Sequence, residues 1–484
     1  MTGSSRITKW LLLLLLAAAA VILAVRLMLP AQMEDATHRE KKQQYLERVA
    51  QRSGGGAKRP NLVVILFDDL GLGDLSAYGS QSIRTPNIDR IAAAGLRFSN
   101  GYSASPYCSA SRAGLLTGRH PTRMGFDHVL QPAGTWQDLL LRLGARNRQL
   151  PAAEITLPEI LDRAGYATKL VGKWHLGDRA PSLPNDRGFD SYFGLLYSND
   201  QGRPVVWRDR QLVESHPIDQ STLTRRYTEE AISFLEDQDE APFFLFLSHT
   251  FPHVPLFASE EFRASSDGGL YGDVVEELDA SVGVVIDALE RLDFVDNTLV
   301  VVTSDNGPWF QGSPGGTRGR KMDVFEGGMR VPFIVYAPGQ TASGLTIDSL
   351  VSGLDIFPTF LELAGLPLPQ DRLIDGVSLL ALLRSGTGTP RETILYTQIN
   401  QFHAWRRGRY KYHTRHEILY GNPMSWRWGP FIPKGPWLFD LEIDPEESYD
   451  ITIRKPELAQ QLADELSERR EEWQQNPRGW TEGR

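Results

Sequence analysis

Four short apolar runs in this chain each lead into side chains that can do chemistry. Leu62 to Phe67 runs into Asp68 and Asp69, and Ala167 to Val171 into Lys173 and His175. Phe243 to Leu247 leads to His249 and His253, and Leu299 to Val302 to Asp305 and Asn306. Each pair alone has an ordinary reading, since Asp-Asn-Gly is most often a turn and Asp-Asp a solvated loop. Their joint placement points to a site, because open α/β sheets bind ligands outside the carboxyl ends of their strands. Asp68, Asp69, Asp305 and Asn306 offer only oxygen atoms, which suits a hard divalent cation, calcium or magnesium, rather than zinc or copper. Lys173, Lys321, His175, His253 and Arg112 around such an ion would make a strongly positive pocket in an acidic protein. That pocket suits a tetrahedral oxyanion, as in phosphate and sulfate esters.

Cys108 is the only cysteine, so no internal disulfide can form and the thiol is either a core group or a reactive one. A lone cysteine is more often buried packing. Here the surrounding sequence points to reactivity. The stretch Cys108-Ser109-Ala110-Ser111-Arg112-Ala113-Gly114-Leu115-Leu116-Thr117-Gly118-Arg119 passes from small to apolar residues, as a loop entering a helix does. A nucleophile at a helix start has free N–H groups and the positive end of the dipole beside it to hold an anion.

That stretch resembles the type I sulfatase signature: Cys or Ser, any residue, Pro or Ala, any residue, Arg, with Leu-Thr-Gly following. A second long signature of the same family is matched, in the right order, by Gly165-Tyr166-Ala167-Thr168-Lys169-Leu170-Val171-Gly172-Lys173-Trp174-His175-Leu176-Gly177. The resemblance continues through Asp68-Asp69-Leu70-Gly71, Tyr197-Ser198-Asn199-Asp200, His253-Val254-Pro255, Ser304-Asp305-Asn306-Gly307 and Lys321 ahead of Phe325-Glu326-Gly327-Gly328. It covers roughly residues 61 to 450.

The resemblance implies an alkaline-phosphatase-like fold and the hydrolysis of aryl sulfates or sulfated carbohydrates, similar to arylsulfatases and N-acetylgalactosamine-6-sulfatases. It also implies a formylglycine made from Cys108 by a maturation enzyme, whose aldehyde hydrate supplies the attacking hydroxyl. A geminal diol leaves a sulfated hemiacetal that expels sulfate by C–O cleavage when its second hydroxyl loses a proton, so one hard step becomes two easier ones. By matched position, Asp68, Asp69, Asp305 and Asn306 are the calcium ligands, with magnesium as an alternative. Arg112 supports the formylglycine, Lys173, Lys321 and His253 hold sulfate oxygens, and Lys321 or His253 protonates the leaving alkoxide. His175, with Ser198 near it, steadies the nucleophile and accepts the proton that triggers sulfate release. Ala110 stands where the commoner motif has proline, which bears on recognition by the maturation enzyme. Two other readings stay open. One is a phosphonate monoester or phosphodiester hydrolase of the same superfamily, against which Lys173 with His175 favours sulfate. The other is an unmatured protein that binds sulfated glycans without cleaving them.

These side chains need a frame to converge. The five apolar runs, with Phe333 to Tyr336 as the last, read as strands buried on both faces of a large, mostly parallel but mixed sheet, with helices packed outside: an α/β class. Helices are expected at Pro86 to Ala94 and Tyr271 to Leu292. A smaller C-terminal α+β domain is expected to hold strands near Thr393 to Gln398, Ala404 to His413 and Trp437 to Leu441, then a helix from Pro456 to about Gln475. The expected domains are 1–57, an N-terminal signal or anchor with a charged tether, 58–383, the catalytic domain, and 384–484, the smaller domain. The Gly-rich 312–319 stretch lacks a P-loop ending and reads as a flexible loop placing Lys321. Packing is the expected role of His249 and of His403, Trp405, His416, Trp426 and Trp428.

The 484 residues, 41% hydrophobic and 10% aromatic, are enough for two or three cores, so disorder is not the default. A net charge of −9 argues against a nucleic-acid partner, which needs a dominant Lys/Arg field. Trp10 to Val25 is wholly apolar and follows Arg6 and Lys9, the pattern of an export signal or anchor. No A-x-A-like cleavage site follows it, which favours a membrane anchor with the catalytic body in the periplasm or outside the cell. A cleaved signal would leave a secreted protein.

Overall fold

The computed structural model describes residues 9–13, 15–17, 19–20, 35–52, 59–126, 128–143, 147–239, 241–415 and 435–482. His416, Trp426, Trp428 and much of the apolar N-terminal run lie outside the described residues. Among the described residues, no helix is long and apolar enough to cross a membrane.

Asn61–Phe67, rich in β-branched residues and buried at every position, is the middle of a ten-stranded sheet. It pairs in parallel with Thr298–Ser304 on one side and Phe243–Ser248 on the other, and Ala167–Gly172 and Ser191–Gly194 extend that parallel block. Phe333–Tyr336 joins Thr298–Ser304 antiparallel, which makes the sheet mixed as expected. Short strands finish both edges, Leu96–Phe98 and Leu345–Ile347 at one, Val206–Arg208 and Gln211–Glu214 at the other. Two apolar clusters fill the two faces. One is built around the buried helix Cys108–Thr117 and Ile356–Leu363, the other around Gly269–Arg291 and Leu223–Glu236. The parallel register aligns the carboxyl ends of four strands, so Phe67, Gly172, Ser248 and Ser304 finish side by side.

The C-terminal part is a four-stranded antiparallel sheet backed by the helix Pro456–Gln475, again as expected. One strand reading is corrected: Ala404 to His413 is not a single strand. Gln401–Arg407 and Tyr410–His413 form a hairpin turning at Gly408, whose φ of 53° is left-handed.

The charged stretch read as part of a tether is also different. Ala36–Arg52 is a helix with a packed face, burying His38, Lys42, Tyr45, Leu46 and Val49. Lys42 Nζ donates to Glu159 and to the Glu154 carbonyl at 2.8 Å. His38 stacks on Trp480 at 4.0 Å, and the guanidiniums of Arg119, Arg372 and Arg478 lie 4.5, 4.9 and 4.6 Å from the same indole. The helix Ala36–Arg52 and the segment around Trp480 therefore share one anchoring point. High charge hid the packed face, because the buried lysine reaches its partners through a long apolar stem.

Candidate active site

Cys108 is the first residue of its helix, and Tyr107 before it contributes no side-chain cap, so the first-turn N–H groups are left for a ligand or solvent. Residue 110 is third in that helix. Its N–H has no acceptor four residues back, so alanine and proline are equally compatible with the fold there. The sulfur is only 1% exposed, yet it lines a cleft of about 630 Å³ together with Asp69, Ser198, His253 and Lys321.

Asp68, Arg112, Lys173, His175, Asp305 and Asn306 stand behind those residues, fully buried. The Cys108 sulfur and one oxygen each from Asp68 and Asp305 lie within 4.8 Å of one another, and one ligand atom each from Asp68, Asp69 and His253 forms a second such group. The sequence-predicted residues thus come together at one rim of the sheet.

Charge is nearly balanced by pairing. Lys173 Nζ donates to Asp68, Lys321 Nζ lies 2.8 Å from the Asp69 carboxylate, and Arg112 Nε donates to Asp305 Oδ2 at 2.8 Å. Burial raises the cost of charging Asp68, but Lys173, His253 and Arg112 outweigh it and hold its pKa well below the usual carboxylate range. At Asp305 burial and the neighbouring Asp68 charge win, and its pKa is pushed up to about 7. Three carboxylates packed this closely leave one of them reluctant to ionise even beside two lysines and an arginine.

The oxygen donors fit a divalent cation. Asp68 Oδ1 and Asn306 Oδ1 are buried without a hydrogen-bond partner, although Asn306 Nδ2 donates to Asp69 Oδ1 at 2.7 Å. Orphaned buried acceptors are costly, and two of them among a cluster of carboxylates are what a hard cation would satisfy.

Both histidines have one nitrogen committed. His253 Nδ1 is 2.6 Å from the Val254 carbonyl, so Nδ1–H donates and Nε2 is left facing Asp69 at 3.7 Å. His175 Nε2 is 3.2 Å from the Leu130 carbonyl, which leaves Nδ1 as a buried acceptor with no partner. Burial, with Lys321 for His253 and Lys173 for His175, pushes both pKa values down. Asp69 and His175 adopt left-handed backbone, with φ of 67° and 63°, a conformation uncommon outside glycine and often found at functional sites.

Three supporting residues were given no role from the sequence, Ser304 standing there only as the first residue of Ser304-Asp305-Asn306-Gly307. Ser248 Oγ bonds Arg112 and donates to the Lys173 carbonyl at 2.7 Å. Ser304 Oγ accepts from Leu70 N and donates to the Asn306 carbonyl. Asp74 accepts from Gly71 N, Tyr271 Oη and Ser313 N at 2.7, 2.6 and 2.7 Å. Asp74 thereby ties the loop after Asp68 and Asp69 to the 312–319 loop. That Gly-rich loop is clamped rather than loose. Gly73 N also donates to Ser313 O, and a Cβ on Gly73 would lie 2.7 Å from Gly315 backbone.

His249 packs: it stacks on Phe67 at 5.8 Å and is fully buried. His403 is likewise buried, and Trp405 packs in the small-sheet core while donating to Glu465.

A family model described as Sulfatase matches residues 60–366, and one described as N-sulphoglucosamine sulphohydrolase, C-terminal, matches residues 320–476. The chain belongs to the sulfatase family. The sulfatase match brings with it the alkaline-phosphatase-like superfamily. N-acetylgalactosamine-6-sulfatase of Mus musculus is 41% identical over 387 residues, covering 75% of this chain and 73% of that protein. Arylsulfatase A of Bos taurus is 36% identical over 446 residues, covering 83% and 85%. Among solved structures, Ps i-CgsB in complex with k-i-k-neocarrahexaose superposes with a TM-score of 0.74 at 28% identity, covering 87% of this chain and 94% of that one. The protein is a sulfuric ester hydrolase.

Proposed function

We propose that this sulfatase removes sulfate from a sulfated carbohydrate, using a formylglycine made from Cys108 and a bound calcium ion. In this reading residues 58–383 are the catalytic domain and 384–484 the smaller one. The observation that carries it is the position of Cys108: first in a buried helix, within 4.8 Å of Asp68 and Asp305 oxygens, and open to the same cleft as Lys321 and His253.

Asp68, Asp69, Asp305 and Asn306 would hold the ion, which supplies Lewis-acid polarisation of a sulfate oxygen and of the nucleophile. The rest is done by the chain itself. Lys173 and Lys321 are aimed at the metal-side carboxylates and offer their remaining N–H groups to sulfate oxygens. Arg112, bonded to Asp305, Ser248 and the Lys173 carbonyl, is rigid and keeps one guanidinium nitrogen, Nη2, without a hydrogen-bond partner, 3.9 Å from Asp68 Oδ2. His253, on the cleft wall with its tautomer fixed by Val254, delivers a proton to the departing alkoxide from Nε2. Burial makes its protonated form a ready donor. The unpartnered Nδ1 of His175 accepts the proton whose loss frees sulfate.

An enzyme that oxidises Cys108 is required, and the apolar N-terminal run would export and tether the body. The test compares turnover of 4-nitrophenyl sulfate with that of its phosphodiester analogue, then of sulfated mono- and disaccharides. A sulfate preference that extends to sugars is expected; a phosphodiester preference would overturn the reading.

A further inference from the structure

Beyond the residues that meet the sulfate, the cleft is lined by Gln131, Thr135, Trp136, Gln137, Asp200 and Trp309. Its volume of about 630 Å³ is that of a site for a ligand of drug size, far larger than one aryl ring needs. Trp136 is 67% exposed at the start of the helix Trp136–Leu143. It is firmly mounted all the same. Asp138 in the same turn accepts from Arg148 and from Gly134 N, and Thr135 Oγ1 donates to the Pro132 carbonyl. Trp309 is held by an edge contact with Phe310 at 4.9 Å and by Arg320, which donates to its carbonyl. A large flat ring kept in water on a fixed support is costly unless a ligand covers it.

The charge of this wall narrows the ligand further. Among the described lining residues Lys321 is the one lysine or arginine, and it already faces Asp69; the other carboxylate, Asp200, is exposed. Among the described lining residues a second sulfate or a carboxylate on the leaving group would meet Asp200 with no lysine or arginine besides Lys321, whereas sugar hydroxyls can donate to Asp200 and to the glutamine side chains.

We propose that this part of the cleft is a leaving-group subsite for an uncharged pyranose, stacked on Trp136 and hydrogen-bonded by Asp200 and Gln137. The enzyme then selects glycans whose ring next to the cleaved sulfate carries no second anionic group. This rests on the carbohydrate-sulfatase reading above.

The experiment measures kcat/KM of the full, matured chain on three probes: 4-nitrophenyl sulfate, a hexose disaccharide with one 6-sulfate, and the same disaccharide with a second sulfate on the same ring. The monosulfated disaccharide is expected to be preferred over the disulfated one by at least about tenfold. Trp136→Ala should lose about tenfold on the monosulfated disaccharide, mostly through KM, and Asp200→Lys should narrow or reverse the preference. Equal or better use of the disulfated probe, or an unchanged Trp136→Ala, overturns the subsite. Turnover of 4-nitrophenyl sulfate with neither sugar used overturns it too and leaves the sulfatase standing. Inactivity on all three overturns both.

Discussion

Burial pushes the Cys108 thiol pKa up, and a neutral thiol is a poor nucleophile, which agrees with the proposal that this position works after conversion to formylglycine. Cys108→Ala should abolish turnover, by at least about a thousandfold, while the melting temperature stays within a few degrees of the unsubstituted protein. The matured peptide should weigh about 18 Da less than its thiol form by mass spectrometry. His249 makes the opposite case, a histidine near the site that serves packing. Burial pushes its pKa down to about 3, against about 6.5 in an unfolded chain. Between those values only the unfolded state binds the proton, so its contribution to stability is lost as pH falls below 6.5. His249→Phe should therefore gain on the parent by about 1.4 kcal/mol for each pH unit below 6.5, read from urea midpoints at pH 7, 6 and 5. Most of the site's acids and bases were legible because they followed an apolar run at a strand's carboxyl end, and Lys321 and Arg112 were legible through the resemblance. The left-handed backbone at Asp69 and His175 was not, since neither residue type announces it, and Ser248 and Ser304 looked like ordinary last residues of strands.

Loops set the cation site as much as strands do. Asp74, buried with its pKa pushed up to about 6 by that burial, holds the loop after the first strand against the segment running from Asn306 to Lys321. Asp74→Asn keeps the shape but turns an acceptor into a donor facing Gly71 N, Ser313 N or Tyr271 Oη. Calcium affinity measured by calorimetry should fall about 10- to 100-fold, with a smaller loss for Tyr271→Phe. Unchanged affinity with only a lower melting temperature would reduce Asp74 to a stabilising role. The five core strands were readable because strands buried on both faces leave unbroken apolar runs. The hairpin at Gly408 was not, because Arg407-Gly408-Arg409 lacks an Asn-Gly or Asp-Gly signal and sits inside a run of alternating basic and aromatic residues. The edge strands Val206–Arg208 and Gln211–Glu214 are too short and polar to show a period.

At the scale of the molecule, segments far apart in sequence are clasped together. Trp480 carries three guanidiniums and an imidazole around one indole, and that contact was invisible in sequence because its partners come from distant segments. Trp480→Ala should cost about 2 kcal/mol in chemical denaturation and make the chain easier to cleave near Ala36–Arg52 in limited proteolysis. The same clasp orders events during synthesis. The helix Ala36–Arg52 leaves the ribosome long before that indole, so Tyr45, Leu46 and Val49 can settle into the main core while His38 waits for its ring until Trp480 has emerged. A polypeptide cut short by a stop codon before Trp480 would leave an imidazole and two guanidiniums crowded around an empty place, even with every residue of the catalytic rim already made.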